Sequence, residues 1–162
     1  MNPPLRSESA REEMFRKVAE GAVDCVATDH APHTLDEKNA PVSEAPSGVP
    51  GVETLYPLLL ALAFDGELPL SRVVEVVASE PARVFGFEGK GAIREGKDAD
   101  IVVVDEMVED LRAERLHSRC EWTPYEGFEG VFPRLVMRRG QVVYERDIEG
   151  GEFADGGGRL VS

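Results

Sequence analysis

The sequence predicts an α/β fold that gives way to a mostly β segment, and three observations carry this. A helical stretch near the start runs straight into a short, almost uninterrupted apolar run, Val23 to Thr28. Further helical stretches follow a long loop. After Gly86 the glycines are spaced as turns between short β-branched runs.

Each element has a local reason. Ser7 is placed to cap a first helix whose apolar positions Ala10, Met14 and Val18 recur at i, i+4 and i+8. Glu12 and Glu13 suit its N-terminal half, and Gly21 can end it. Val23-Asp24-Cys25-Val26-Ala27-Thr28 lacks polar alternation, the pattern of a parallel strand buried on both faces. From Thr34 to Gly51 the chain is rich in Pro, Gly and Ser, and a loop of that length in a compact domain is functional or disordered. Helical signal returns from Val52 to Phe64, with Pro57 near its start or kinking it, and Asp65-Gly66 ends it. Leu70 to Ala78 reads as another helix, with Val73, Val74, Val76 and Val77 on its apolar side. Ser79-Glu80-Pro81 reads as a fresh N-cap and first turn, stopped by Gly86. Beyond it, Gly89, Gly91 and Gly96 mark turns and Ile101 to Val104 is a strand. Leu135 to Met137 and Val142 to Tyr144 form a hairpin about Arg139-Gly140. The expected division is 1–86, 87–148 and a flexible glycine-rich tail over 149–162. A single parallel strand in 1–86 has nothing there to pair with, so the chain is expected to be part of something larger.

Composition narrows the classes of function. The 162 residues carry 31 acidic and 18 basic side chains, a formal net charge of −13. Such a surface repels phosphate backbones and anionic lipid, which argues against nucleic-acid and membrane partners. The longest apolar helical run, Leu58 to Phe64, is far short of the ~20 residues that span a bilayer. Cys25 and Cys120 lie in no CxxC pair. Cys25 sits in the apolar run as a buried, reduced thiol, so the expected compartment is the cytoplasm. The N-terminus lacks the charged and apolar regions of a signal peptide.

Chemistry concentrates in Thr28-Asp29-His30-Ala31-Pro32-His33. A carboxylate at the C-terminal tip of a buried strand, with two histidines within four residues, can ligate a metal, act as a base or bind an anion. It can equally be a capping aspartate beside two ordinary loop histidines, and spacing alone leaves both readings open. No HExxH, phosphate-binding glycine loop or GxSxG elbow is present.

Longer stretches carry a resemblance. Asn2-Pro3-Pro4-Leu5-Arg6, then Thr28 through Lys38, then Ala45-Pro46-Ser47-Gly48-Val49-Pro50-Gly51-Val52-Glu53-Thr54 resemble the last barrel segments of the long-chain dihydroorotases of the amidohydrolase superfamily. Glu80-Pro81-Ala82-Arg83, Gly89-Lys90-Gly91 through Asp98-Ala99-Asp100, and His117 through Gly127 are similar in the same order. The resemblance implies the C-terminal part of a (β/α)8 barrel, its last strand and closing helices, followed by part of an accessory β-sandwich domain. It implies that Asp29 lies against the metal and takes the proton of the attacking water, a role suited to a carboxylate beside a metal-bound water that ionises near neutral pH. It also implies that His33 binds the substrate carboxylate, that Asn2 reaches the substrate, and that main-chain groups at Ser47 and Gly48 bond the ring amide. His30 has no such role and reads as structural, holding Asp29 in place. The activity implied is the reversible cyclisation of N-carbamoyl-L-aspartate to L-dihydroorotate in pyrimidine synthesis, with one or two zinc ions.

The pattern also departs from that family. The His-x-His pair, the carboxylated lysine or aspartate and the later histidines that complete the metal site have no counterpart among the 3 histidines here. A barrel of this kind needs about 250 residues, and a catalytic zinc about three protein ligands. The chain by itself is therefore expected to be metal-free and inactive, with the N-terminal barrel half on upstream residues or on a second chain. Left alone, it is expected to self-associate or to be disordered near 34–50. Two other readings stand beside the enzyme: a non-catalytic scaffold docking on aspartate transcarbamoylase, and another cyclic amidohydrolase such as a hydantoinase or allantoinase. A homo-oligomer is a further expected association. His117, Trp122 and Tyr125 read as packing in the β-rich part rather than as a second site.

Overall fold

The computed structural model describes residues 1–146 and 151–154. Helix α1 spans Glu8–Ala19, and the Ser7 hydroxyl accepts from the Ala10 N–H as the cap expected. Only the end of its apolar stripe is covered: Val18 is buried, whereas Met14 is 55% exposed. A short helix α2, Leu35–Lys38, gives the loop after His33 a defined start. Thr34 and Glu37 form a reciprocal capping box there, so the stretch 34–50, expected to be disordered, contains regular structure.

Helix α3 runs Leu55–Phe64, with Pro57 in its first turn, where a missing N–H costs nothing. The next helical stretch is one continuous rod made of α4, Leu70–Val74, a π-helical turn at Glu75–Ser79, and α5, Glu80–Val84. Ser79 is therefore not a fresh cap. Its dihedrals are helical (φ −72°, ψ −44°), and the Glu80 N–H already donates to the Glu75 carbonyl. A proline two residues on cannot donate and its ring crowds the carbonyl four residues back, so the ladder widens by one residue instead of breaking.

The run Val23–Thr28 is not a strand here. It is extended, but its backbone is tied to a helix: the Val26 N–H donates to the Val76 carbonyl at 3.1 Å. A strand is defined by hydrogen-bonded neighbours, and the described residues supply none beside it. For the same reason Cys25 is half-buried rather than buried.

The β-rich part forms two antiparallel sheets. Strands β1 (Ile101–Val104), β4 (Pro133–Arg138), β5 (Gln141–Arg146) and β6 (Gly151–Phe153) lie in the order β1-β4-β5-β6, and β2 (Glu109–Asp110) pairs with β3 (Glu129–Gly130). The β4–β5 hairpin turns through Arg139 and Gly140 at φ 47° and 80°, between the partners Arg138 and Gln141. Two positive φ angles in a two-residue loop are the twist-matched hairpin turn. Part of the tail is ordered, contrary to expectation. Residues 151–153 pair with β5, because a glycine at 151 leaves room for the Tyr144 ring, which would lie 2.1 Å from any Cβ there. The rest of the expected tail, 149–150 and 155–162, lies outside the described residues.

One core joins the two parts. Val18, Leu60, Ala61, Leu68, Val73 and Val76 from the helical part pack with Val131 from the β-rich part, and Val104 lies against them. Each fully buried aliphatic side chain contributes about 1.5–3 kcal/mol. The Val131 N–H donates to the Pro57 carbonyl at 3.0 Å, fixing that contact in register. No helix among the described residues is long and apolar enough to cross a membrane.

Glu109 joins the two sheets. Its carboxylate pairs with Arg146 on β5, 2.8 Å to the second guanidinium nitrogen, and with Arg115 at 3.1 Å. Hydrogen bonding from Arg146 holds the Glu109 carboxyl below its ordinary value, against the opposing effect of burial. A carboxyl lowered in the folded state stabilises above its unfolded pKa of about 4.3 and stops doing so as pH falls through the lower folded value. Glu109→Gln should therefore cost about 1.5–3 kcal/mol at pH 7, and the gap should narrow as pH falls below about 5. Urea unfolding of both proteins at pH 7 and pH 3 checks this. A gap independent of pH would remove the ion pair from the account.

Candidate functional site

The site is built where the extended run ends. Thr28 folds its hydroxyl back to accept the His30 N–H at 3.2 Å, and between them Asp29 takes φ 47°. That left-handed conformation is uncommon for any residue but glycine, though Asp and Asn tolerate it best. Residues held this way cluster at functional sites. The turn leaves Asp29 exposed at the tip of the run.

A second stretch lies alongside the first. The Ala31 N–H donates to the Val49 carbonyl at 3.1 Å. The His30 Nδ1 accepts two backbone N–H groups, from Gly51 at 3.0 Å and from Val52 at 3.2 Å. At Gly48 the approach is closer than a side chain allows: a Cβ there would lie 2.5 Å from the Ala31 Cβ, and φ is 117°. The stretches containing Asp29 and His33 and containing Ser47 and Gly48, far apart in sequence, are thus brought side by side. Asn2 lies on a separate stretch, before α1. It is exposed, and no hydrogen bond among the described residues joins it to the loop.

Three sets of contacts hold the loop. The Lys38 ammonium bonds the carbonyls of Pro46 at 2.8 Å and Gly48 at 3.0 Å and lies 6.0 Å from the centre of the Trp122 ring. Trp122 donates its indole N–H to the His33 carbonyl at 2.7 Å. Glu53 accepts the His117 N–H at 2.8 Å while its other oxygen meets the His117 ring at 2.6 Å, and Phe153 packs edge-on against that ring at 4.6 Å. His117 and Trp122 are therefore packing residues, as read from the sequence, but what they pack is the site loop. A cavity of only ≈ 10 Å³ remains between His30, residues 50–54 and Leu116, Ser118 and Thr123. Within the loop, the Glu37 carboxyl is held below its ordinary value, first by the Thr34 N–H and then by its hydroxyl. It lies 3.9 Å from the His33 ring, a standing negative charge beside that histidine.

The Lys38, Glu53 and Trp122 contacts were not singled out from the sequence. The capping box Thr34-x-x-Glu37 was legible, and it is what aims Lys38, one residue on, at the loop. The contacts to Glu53 and His33 span 64 and 89 residues and carry no local signal.

These residues do not make a metal site unaided. Among the described residues no group of three or more His, Cys, Asp or Glu side chains is placed to hold an ion. Asp29 is a single carboxylate, and the Nδ1 atom of His30 is taken by two amides.

Residues 61–144 match the profile of the amidohydrolase family, and the chain belongs to that family. Within it the chain is similar to dihydroorotases. It is 55% identical over 148 residues to the dihydroorotase of Halobacterium salinarum and 48% identical over 152 residues to that of Archaeoglobus fulgidus, covering 91% and 93% of this chain. Among solved structures it is similar to the D-hydantoinase (dihydropyrimidinase) from Thermus sp., with a TM-score of 0.83 and 31% identity over 88% of this chain. The chain spans 35% and 36% of the two dihydroorotases and 33% of the hydantoinase.

The Gly48 contact is directly testable. Gly48→Ala combines a strained φ with a clash against Ala31 and should cost about 1–3 kcal/mol. Hydrogen exchange at Ala31, Gly51 and Val52 should quicken more than in the helices. Unchanged exchange at those three amides would show that the approach is not tight.

Proposed function

We propose that this chain is the C-terminal segment of a dihydroorotase. On this reading residues 1–86 supply the last strand position and closing helices of a (β/α)8 barrel, and 87–148 supply part of the accessory β-sandwich. The observation that carries it is the apposition of the Asp29–His33 turn with the Ser47–Gly48 loop through His30, Ala31 and Gly48. The identity of 55% to a dihydroorotase across that same region supports it.

The reaction is the reversible closure of N-carbamoyl-L-aspartate to L-dihydroorotate with loss of water. In the opening direction a proton must leave the attacking water and be returned to the departing ring nitrogen. An exposed carboxylate on a rigid turn suits that exchange, and Asp29 is the group assigned to it. His33 takes the substrate carboxylate, backbone groups of Ser47 and Gly48 bond the ring amide, and Asn2 completes the contacts. The enzyme's metal, zinc on this reading, supplies polarisation of the carbonyl. This chain offers it Asp29 alone, so the remaining ligands belong to residues outside the chain, in the N-terminal part of the barrel.

Three experiments test this. In the complete, metal-loaded protein, Asp29→Asn should lower kcat by about 10²–10⁴-fold. The wild type should turn over dihydroorotate in preference to hydantoin and allantoin; preference for hydantoin would move it to the hydantoinases, whose fold it also shares. The intact mass of the protein in its source cells should exceed twice the 17.7 kDa of this chain. A mass equal to it would require the missing half on a second polypeptide.

A further inference from the structure

The His30 ring has a definable state. Both groups facing its Nδ1 are peptide N–H donors, from Gly51 and Val52. A nitrogen that accepts two hydrogen bonds carries no proton, so the ring is the tautomer with hydrogen on Nε2. Its backbone is fixed as well. The His30 N–H is held by Thr28, and the next residue's N–H by Val49. One residue therefore grips the turn bearing Asp29 with its main chain and the opposite stretch with its side chain.

What it grips is not free to adjust elsewhere. The Gly51 carbonyl accepts from the N–H groups of Thr54 and Leu55 and from the Thr54 hydroxyl at 3.1 Å, and Thr54 is 2% exposed. Gly51 is thus anchored to the start of α3, and the Gly51 and Val52 N–H groups precede that helix, with His30 as their acceptor. Gly48, three residues back, is pressed on Ala31 on one side and bonded to Lys38 through its carbonyl. The distance between Asp29 and the Ser47–Gly48 backbone is set by this frame, and His30 spans it from the Asp29 turn with side-chain hydrogen bonds.

We infer that His30 is a positioning residue: its unprotonated Nδ1 latches the Gly51–Val52 amides and so fixes the Ser47–Gly48 backbone at a set reach from Asp29. This rests on the proposed roles of Asp29, Ser47 and Gly48. Contacts that hold a substrate equally in its ground and transition states act on KM rather than kcat, so loss of the latch should act on KM.

Replacement chemistry separates this role from mere packing. The asparagine Oδ1 sits as many bonds from the backbone as the histidine Nδ1 and can accept the same amides, whereas a glutamine carbonyl lies one bond further out. In the complete protein, His30→Asn should keep KM within about threefold of wild type. His30→Gln and His30→Ala should raise it about tenfold or more, with kcat changed less. The substrate is whichever cyclic amide the protein turns over, so failure on dihydroorotate alone would sink the proposed function and leave this test standing. A second readout does not depend on turnover: the Gly51 and Val52 amides should be protected from hydrogen exchange in wild type and His30→Asn and unprotected in His30→Gln. If the alanine variant does not fold, the asparagine–glutamine pair decides. Wild-type KM in His30→Gln, a KM in His30→Asn as high as in His30→Gln, or a ring ¹⁵N signal showing a protonated Nδ1 would each overturn the inference.

Discussion

A buried guanidinium organises the helical part. Arg72, 7% exposed, donates to the Val18 carbonyl at 2.6 Å, to the Val23 carbonyl and to Glu75 at 2.7 Å. A buried charge without partners is strongly unfavourable, so the groups that pair it are fixed in place. Here they are the end of α1, the start of the extended run and the turn after α4. The run that carries Asp29 to its tip is therefore held at its root by Arg72 and midway by the Val76 carbonyl, although no strand among the described residues pairs with it. Each of these restraints comes from a helix.

The β-rich part completes the site by bracing it. Trp122 fixes the His33 carbonyl, His117 fixes Glu53, and Val131 enters the core beneath α3. The loop from 34 to 53 has little regular structure of its own, and such a segment orders only where contacts offset its conformational entropy. It is held by its own capping box, by Lys38 on its carbonyls, by His30 from the Asp29 turn, and by these side chains from across the chain. The family's substrate contacts would then lie between two elements that fold against each other, an arrangement that can keep exposed groups in a fixed geometry.

Where the sequence was read rightly, the cause was local. Ser7 capping α1, the end of α3 before Asp65 and the Arg139–Gly140 hairpin all follow from groups within a turn of one another. Where it was misread, the cause lay elsewhere in the chain. Ser79 has the composition of a cap, but the helix passes through it because Pro81 is absorbed by a π turn. Gly151 looks like fraying chain, but the Tyr144 ring requires a glycine there.

The sequence by itself determined the family and the positions of most turns, because each depends on side chains close together along the chain. Only the tertiary structure decided that His30 is an acceptor for amides 21 and 22 residues away, and that Trp122 and His117 serve the loop bearing His33 and Glu53. It alone set the left-handed turn at Asp29 against the Gly48 backbone. Those contacts join residues whose separation carries no periodic or compositional signal, and only the packing of the shared core brings them within hydrogen-bonding distance.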